Sequence, residues 1–299
     1  MPTVLLVRHG RTTANAAGVL PGWTPGIHLD DRGRNQAGAL ARRLAPLPLV
    51  AVVTSPLERC RQTAELLLSA ALVPSACSHQ SGQPPRTVPA PAPAPRTDDE
   101  SSGPPEGRPP GSAPVVVDDR LGECRYGDWT GRRLRDLRGD PLWPIVQAHP
   151  SAVVFPGPEG ESLRDLQHRA VSAIRDHDAR VHGSHGPHAL WLAVTHGDVI
   201  KVILADALGL HLDGFQRLVV DPCSVSAVRY TPLRPFVLKV NDTGEDLSGL
   251  RPESRNGHRA LSSDAVVGGG AGPSGPQGLG EVLPPPSDGP DAAGRRVTP

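Results

Sequence analysis

The sequence has little lysine, no closely paired cysteines and an even balance of charge, and each of these shortages excludes a class of function. Lysine occurs only at Lys201 and Lys239, and the 31 lysine and arginine residues are balanced by 31 acidic ones. A neutral chain has no basic field that would favour nucleic acid or an anionic membrane as a partner. The four cysteines are scattered without a C-x-x-C pair, so neither a zinc site nor a redox dithiol is supported.

The sequence also lacks long apolar runs. None approaches the roughly 18 residues needed to cross a bilayer, and the start, Met1-Pro2-Thr3, has no basic region of the kind that opens a signal peptide. With neither an export signal nor a disulfide framework, the sequence predicts a reduced, soluble, cytoplasmic protein. It predicts no bound metal and no other cofactor.

Two stretches are too poor in large apolar residues to form a core. Between Pro74 and Pro114 the chain is rich in proline, and only Val88 and Cys77 are apolar and larger than alanine. Such a segment cannot bury enough surface to offset the ordering entropy of roughly 1 to 2 kcal/mol per residue. We therefore expect one domain from residues 1–73 and 115–246, a disordered proline-rich insertion at 74–114 and a disordered glycine- and proline-rich tail at 247–299.

Apolar runs and amphipathic stretches alternate along the rest of the chain. Strands and helices in alternation are typical of an α/β fold, and we expect a three-layer α/β/α sandwich with a mostly parallel central sheet. Between Trp129 and Ala148 the pattern predicts short helices broken at Pro141 and Pro144. The predicted strands are 4–7, 50–53, 115–117, 190–194, 225–230 and 236–240, and the longer predicted helices are 33–44, 57–72, 161–181 and 199–208.

Four short polar segments each follow a predicted strand or the turn after it. The first, Arg8-His9-Gly10, comes directly after the apolar run 4–7, and the others are 54–59, 121–127 and 195–198. In a parallel sheet the carboxyl ends of the strands share one edge, and open α/β sheets bind their ligands there. The sequence therefore predicts one pocket that holds two arginines, two histidines and a glutamate, namely Arg8, His9, Arg59, Glu123 and His196.

The predicted pocket suits a phosphate ester. The forked guanidinium groups of Arg8 and Arg59 match the oxygens of a phosphate. Their charge disfavours protonation of His9, because free histidine titrates near about 6.5 and a second positive charge nearby lowers that pKa. A neutral His9 can accept a phosphoryl group. A bound phosphate would raise the pKa of Glu123 by like-charge repulsion, so that this carboxyl could protonate the leaving alcohol and later activate water.

Four sequence motifs run in order through the predicted domain. They are R-H-G-x-T-x-x-N at 8–15, S-P-L-x-R-x-x-x-T at 55–63, L-x-E-x-x-x-G-x-W-x-G at 121–131 and T-H-G at 195–197. Through them the chain resembles the histidine phosphatase superfamily, also called phosphoglycerate mutase-like, from Thr3 to about Asp246. The resemblance implies that His9 is phosphorylated and that Glu123 is the proton donor. It also implies that the phosphoryl group is bound by Arg8, Arg59 and His196.

Within the superfamily, some segments of the chain resemble phosphomutases, whereas other positions differ from the glycolytic mutases. The runs 20–22 and 221–226 are most similar to actinobacterial proteins labelled phosphomutases. However, Cys124 stands where the glycolytic mutases have a substrate-binding arginine, and Ala14 stands where they have a tryptophan. Nor does a long helical segment with paired substrate-binding arginines lie between Trp129 and Pro156. These departures disfavour glycolytic mutase activity.

Several residues in or near the motifs are candidates for contact with substrate, and for Arg11, Asn15, Trp23 and Tyr126 a structural role is an equal alternative. Backbone amides at the start of the helix after His196 would add to a phosphate cradle, beginning with Gly197. The candidates are Arg11, Thr12, Asn15, Trp23, Tyr126 and Gly197.

Asp198 and a group of three histidines could each have either a structural or a chemical role. Asp198 would be a second proton donor if it acted like the aspartate beside the second histidine of the acid phosphatase branch, but Gly197 intervenes here and the start of a helix favours capping. Histidines 182, 185 and 188 recur at every third position, yet they lie in a glycine- and proline-containing turn without an accompanying carboxylate or cysteine. That composition disfavours a metal site.

Three functions remain open on the sequence alone. The first is a metal-independent phosphatase that acts on a small phosphorylated metabolite through a phosphohistidine. The second is a phosphomutase, which returns the phosphoryl group to a different oxygen. The third is a phosphate-binding regulatory protein without turnover, against which the presence of all five pocket residues counts. The sequence names neither the metabolite nor the oligomeric state.

Overall fold

Six strands form one sheet in the computed structural model, which describes residues 1–70, 115–244 and 268. The strands are β1 (Thr3–Arg8), β2 (Leu49–Thr54), β3 (Val115–Val117), β4 (Leu190–Thr195), β5 (Val225–Tyr230) and β6 (Pro235–Asp242). Their order across the sheet is β3-β2-β4-β1-β5-β6. The first four strands of that order are parallel to one another, and β5 and β6 are added through antiparallel pairing.

Helices cover both faces of this sheet. Side chains of a strand alternate between faces, so Val4 and Leu6 pack in one core with the helices at 163–185 and 197–208, while Leu5 and Val7 pack in another with the helices at 31–44 and 58–70. This arrangement confirms the predicted three-layer α/β/α sandwich. The helices are α1 (Thr13–Ala17), α2 (Asp31–Leu44), α3 (Glu58–Ala70), α4 (Leu134–Leu137), α5 (Trp143–Ala148), α6 (Leu163–His185) and α7 (Gly197–Leu208), with short 3-10 helices at Asp119–Leu121, Gly127–Trp129, Pro150–Ala152 and Leu212–Arg217.

The strand register brings the ends of four strands together. Arg8 of β1 pairs with Thr195 of β4, and Thr54 of β2 pairs with Val194 of β4 and with Val117 of β3. The chain segments that leave these four strands therefore start side by side at one edge of the sheet. All four polar segments predicted from the sequence begin at this edge, as a parallel sheet requires.

Two local predictions need correction. The predicted break at Pro144 is wrong, because α5 runs through it with Pro144 in its first turn, where the missing N–H would have no intrahelical partner in any case. Helix α6 begins at Leu163, two residues later than predicted, because the Ser162 hydroxyl caps it by accepting from the backbone N–H of Asp165 over 3.0 Å. It also continues beyond Val181 to His185.

The predicted insertion at 74–114 lies outside the described residues, and so does the predicted tail at 247–299 except for Gly268. Both assignments, and with them the boundaries of the single domain, stay predictions. Within the described part of the chain, no helix is both long enough and apolar enough to cross a membrane.

Candidate active site

Two buried histidines meet at the carboxyl edge of the sheet. His9 follows β1 and His196 follows β4, the strand that pairs with β1 in parallel. The backbone N–H of His9 donates to the carbonyl of Thr195 over 2.9 Å, and the two imidazole centroids lie 5.2 Å apart at an interplanar angle of 64°. The strand pairing therefore places both rings in one pocket.

The backbone determines which nitrogen of His9 is free. Nδ1 lies 2.7 Å from the carbonyl oxygen of Gly10, and because a carbonyl only accepts, Nδ1 carries the proton and Nε2 keeps its lone pair. Burial, followed by the charges of Arg59 and Arg8, holds the pKa of His9 well below its usual 6.5. His9 is thus a neutral imidazole with an available nitrogen at neutral pH.

Contacts between the first two motifs hold His9 and Arg59 in place. The backbone N–H of Gly10 donates to the Thr63 hydroxyl over 3.1 Å, and that hydroxyl donates to the carbonyl of Arg59 over 2.7 Å. A Cβ on Gly10 would lie 2.6 Å from the carbonyl oxygen of Gly33. Only glycine therefore lets the loop after β1 approach helix α2 this closely.

Arg8 and Arg59 are fully buried in the same pocket. Arg8 donates from Nη1 to the carbonyl of Val220 over 2.7 Å, and Arg59 donates from Nη2 to the carbonyl of Gly22 over 2.9 Å. Among the described residues, Nε and Nη1 of Arg59 are buried without a hydrogen-bond partner. Buried donors on a cation are satisfied best by an anion with several oxygens. The pocket is therefore suited to a phosphoryl group.

Glu123 lies within reach of both histidines. One donor atom from each of His9, Glu123 and His196 falls within 4.8 Å of the others. The Glu123 side chain accepts from the backbone N–H of Cys124 over 3.0 Å and is only 3% exposed. Burial and, next, the charge of Asp198 raise the pKa of Glu123 to about 7. A substantial fraction of this carboxyl is protonated at neutral pH, as a general acid requires.

His196 contacts a residue that follows β2 and a residue of α3. Its Nε2 lies 2.7 Å from the Ser55 hydroxyl and 3.4 Å from Sγ of Cys60. Nδ1 is turned toward Glu123, 3.6 Å from Oε2. Burial and then the charge of Arg59 lower the pKa of His196 well below 6.5. Like His9, it is a neutral ring at pH 7.

Asp198 does not cap helix α7, so the interpretation favoured from the sequence is wrong. The N-cap residue is His196, which makes no side-chain capping bond. Instead, Oδ2 of Asp198 accepts from the Tyr126 hydroxyl over 2.9 Å, and Oδ1 lies 3.6 Å from Nζ of Lys201. All three side chains are buried, including Tyr126, a predicted substrate contact. The contact between Asp198 and Tyr126 joins two segments that are far apart in the sequence, so the local sequence around the helix start does not predict it.

Two side chains from other parts of the fold donate to the backbone carbonyl of Glu123 itself. Trp23 donates from Nε1 to the carbonyl of Glu123 over 2.6 Å, and Arg169 of α6 donates to the same oxygen over 2.9 Å. Arg169 also donates to the carbonyls of Gly122 and Arg120, each over 2.8 Å. Arg169 is also ion-paired with the Glu161 carboxylate, with Nε 2.9 Å from Oε2. Nothing in the sequence pointed to its place beside Glu123, because its three partners there are backbone carbonyls that any residue can supply.

The remaining predicted substrate contacts make structural interactions. Thr12 and Asn15 form a reciprocal capping box at the start of α1. Nε of Arg11 is ion-paired with Asp30 at 2.8 Å, and Gly197 is the buried first residue of α7. Contact between these four residues and a substrate stays a prediction.

The chemistry of the donor set also bears on a metal ion. His9, Glu123 and His196 are residue types that ligate zinc, and their donor atoms are close enough to share an ion. Histidines 182, 185 and 188 form no such group in the described part of the chain. Because Arg8 and Arg59 are cations buried in the same pocket, repulsion disfavours a second cation there and attraction favours an anion.

Comparison with protein families agrees with this geometry. The model described as "Histidine phosphatase superfamily (branch 1)" matches residues 4–77 and 107–243. The matched ranges contain all four motifs and both histidines of the pocket. The gap between them falls inside the predicted insertion.

Individual proteins are similar to this chain over most of its length. An Erwinia tasmaniensis protein named "Probable phosphoglycerate mutase GpmB" is 28% identical over 255 residues, which cover 84% of this chain and 95% of that protein. The structure of Bacillus stearothermophilus YhfR has a TM-score of 0.60 at 25% identity and covers 81% of this chain and 98% of its own. A mycobacterial glucosyl-3-phosphoglycerate phosphatase solved with VO3 has a TM-score of 0.58 at 21% identity, covering 80% and 98%. This last similarity shows the fold alone.

Proposed function

We propose that this chain, which belongs to the histidine phosphatase superfamily (branch 1), is a metal-independent phosphatase that hydrolyses a small phosphorylated metabolite through a phosphohistidine at His9. One observation carries the proposal. The free Nε2 of His9 shares a buried pocket with the guanidinium groups of Arg8 and Arg59 and with Glu123, whose pKa is about 7. A nucleophile, an anion cradle and a proton donor are what phosphoryl transfer to an imidazole needs.

In the first half-reaction, Nε2 of His9 forms a bond to phosphorus while the bond from phosphorus to the ester oxygen breaks. The electron pair of the broken bond goes to the leaving oxygen, which takes the proton of Glu123. The guanidinium groups of Arg8 and Arg59 hold the non-bridging oxygens and stabilise the charge that develops on them. No water is needed until the alcohol has left.

In the second half-reaction, a water molecule attacks the phosphorus of the phosphohistidine. The Glu123 carboxylate accepts a proton from that water, the N–P bond breaks, and its electron pair returns to Nε2 of His9. Inorganic phosphate leaves and Glu123 is protonated again. The same carboxyl therefore serves first as acid and then as base, which a pKa near neutrality allows.

Contacts around the pocket support hydrolysis over phosphomutase activity. A mutase has to keep the alcohol bound while the phosphoryl group moves, and it needs polar groups that hold the alcohol. Cys124, a buried apolar thiol, stands at the position where the glycolytic mutases have an arginine. Arg11 is paired with Asp30, and Arg125 stacks at 4.1 Å over the ring of Trp23. The nearby arginines are thus already engaged in contacts within the chain.

Trapping of the phosphoenzyme tests the proposal. We expect the wild-type protein, mixed with a radiolabelled phosphate ester and quenched, to carry a label that survives alkali and is lost in acid, as a phosphohistidine does. His9→Ala should carry none and should lose hydrolysis by more than about 10³-fold, because the nucleophile is missing. His188→Ala, an exposed histidine just before β4, is the matched control and should behave like wild type. An active His9→Ala protein would refute the assignment.

Analysis of the products separates the three functions. Phosphorus NMR follows a panel of sugar, nucleotide and hydroxy-acid phosphates in the presence of a chelator. Inorganic phosphate released in proportion to substrate consumed supports the phosphatase. A positional isomer would identify a mutase instead, and phosphate binding without turnover or label would identify a regulatory protein.

A further inference from the structure

A residue from the C-terminal part of the chain contacts two buried groups of the pocket. The carbonyl oxygen of Gly268 accepts a hydrogen bond from Nη2 of Arg8 over 3.2 Å. The backbone N–H of the same residue donates to Oδ2 of Asp198 over 3.0 Å. The described domain otherwise ends at Gly244, so Gly268 reaches the pocket from a distant part of the sequence.

These contacts resemble those of a ligand. Arg8 is one of the two cations that would hold the oxygens of a phosphoryl group, and the carbonyl oxygen of Gly268 already occupies one of its donors. Asp198 accepts at the same time from Gly268 and from the Tyr126 hydroxyl. A hydrogen bond to a charged group is stronger than one between neutral groups. Both bonds of Gly268 are of this charged kind.

The backbone conformation at position 268 favours glycine. Gly268 has a φ of +74°, which side-chain-bearing residues rarely adopt. A Cβ built there would lie 3.0 Å from Cδ1 of Leu20. Gly268 also lines a small cleft together with Leu20, Pro21 and Leu134. A β-branched residue would therefore be strained in this position and would push against the wall of the cleft.

We propose that the chain at Gly268 is an intramolecular ligand of the catalytic pocket, which competes with the phosphoryl group of the substrate for Arg8. Release of Gly268 removes its hydrogen bond from Nη2 of Arg8, which then donates to a substrate oxygen instead. Substrate binding and binding of Gly268 then exclude each other, so the apparent affinity for substrate is reduced by the fraction of molecules in which Gly268 is released. The kinetic consequence rests on the proposed phosphatase activity, whereas the effect on phosphate binding does not.

Gly268→Val in the full-length protein tests the inference. We expect KM to fall about three- to tenfold with kcat within about twofold of wild type, which corresponds to Gly268 being bound in roughly 70 to 90% of molecules. The dissociation constant of inorganic phosphate, measured by calorimetry, should fall by the same factor. Gly280→Val is the matched control, a glycine later in the tail, and should leave both quantities unchanged.

A peptide with the sequence of Ser262 to Pro273 provides a second measurement. Added to Gly268→Val, it should raise KM toward the wild-type value without lowering kcat, as a competitive ligand does. Unchanged KM and phosphate affinity in Gly268→Val would overturn the inference, and so would a raised KM, which would make Gly268 part of the substrate site. If no ester is hydrolysed at all, the proposed function fails while phosphate affinity still decides this inference.

Discussion

At the residue scale, one buried environment shifts two titrating groups in opposite directions. Burial disfavours charge, so it lowers the pKa of the His9 imidazole and raises the pKa of the Glu123 carboxyl. Arg59 and Arg8 lower both values, but at Glu123 the charge of Asp198 opposes them. A nucleophile that is free of its proton and an acid that keeps its proton therefore coexist at neutral pH, as the proposed phosphoryl transfer to His9 requires.

These directions predict the pH dependence of hydrolysis. Activity needs His9 unprotonated, so kcat/KM should fall only at a pH well below 6.5. It also needs Glu123 protonated, so kcat/KM should fall about tenfold per pH unit above about 7. Bound phosphate repels the ionised carboxylate, so the alkaline limb of kcat should lie at higher pH than that of kcat/KM. Initial rates between pH 4 and 10 measure both limbs.

Glu123→Gln distinguishes the proton donor from a purely structural residue. Hydrolysis of an alkyl phosphate should fall about 10²- to 10⁴-fold, and the alkaline limb near pH 7 should disappear. The kcat/KM for para-nitrophenyl phosphate, which reports only the first half-reaction, should fall much less, because its leaving group needs little protonation. Glu65→Gln, at an exposed position on α3, is the control. Equal losses on both substrates, with the alkaline limb kept, would show that Glu123 is not the acid.

The sequence predicted the position of those pocket residues that directly adjoin a strand. It did not predict contacts between residues that are far apart in the sequence. Arg8, His9 and His196 adjoin apolar strands, so their place at the sheet edge follows from the order of the chain. Asp198 was misinterpreted because its partner, Tyr126, lies far away in sequence. Gly268 lies in a stretch whose composition predicts disorder, and no local pattern indicates its contact with Arg8.

At the element scale, the segment that carries Glu123 is fixed by side chains from two elements, of which the first is β4, where the Thr195 hydroxyl donates to the carbonyl of Leu121 over 2.6 Å. Glu123 follows the short helix Asp119–Leu121, and helix α6 fixes that loop through Arg169, which donates to the carbonyls of Arg120, Gly122 and Glu123. One planar guanidinium reaches three carbonyls, which a lysine cannot do with the same geometry. In the proposed mechanism Arg169 therefore positions the proton donor, Glu123, through the backbone of its loop.

Arg169→Met should lower kcat/KM for an alkyl phosphate by roughly tenfold or more, because small displacements of a catalytic group carry large losses in rate. The loss in kcat/KM for para-nitrophenyl phosphate should be smaller, because its leaving group needs little protonation. Phosphate affinity should stay near wild type, since Arg8 and Arg59 are untouched. Steady-state rates on the two esters and calorimetry with phosphate measure these quantities.

Arg175→Met is the matched control on the same helix. Arg175 is more than half exposed and pairs with Asp206, and exposed pairs contribute little to stability. We expect wild-type rates on both substrates. If Arg169→Met lost both activities equally together with phosphate affinity, its role would be general folding and not the position of Glu123.

The sheet was the most predictable part of the fold, because strand ends follow directly from short apolar runs. Predicted strand 190–194 became Leu190–Thr195, and Val115–Val117 was placed without error. Helix boundaries were less predictable, since they depend on caps such as Asp30, which starts α2 two residues earlier than predicted, and on whether a proline falls in a first turn. The order of the strands across the sheet was not predicted, because a short apolar run does not indicate which strand lies beside it.

At the scale of the whole molecule, the family match shows where this chain has a segment that the family model does not match. The family model skips residues 78–106, which lie between α3 and β3. Even so, β3 pairs with β2 at Thr54 and Val117 in the position that brings Glu123 to the pocket. The described chain on either side of the skipped range thus contributes strands to one sheet.

Deletion of residues 84–110 tests whether that segment contributes to the fold. About 17 residues would remain between Ala70 and Val115, enough to span up to about 60 Å when extended. We expect kcat/KM within about twofold of wild type and little change in Tm, because shortening a loop alters its closure entropy only slightly. Replacing 84–110 with a glycine–serine linker of equal length separates length from sequence. If the deletion alone abolishes folding, the linker is too short, whereas failure of both variants would mean that the proline-rich residues pack against the domain and that the predicted disorder is wrong.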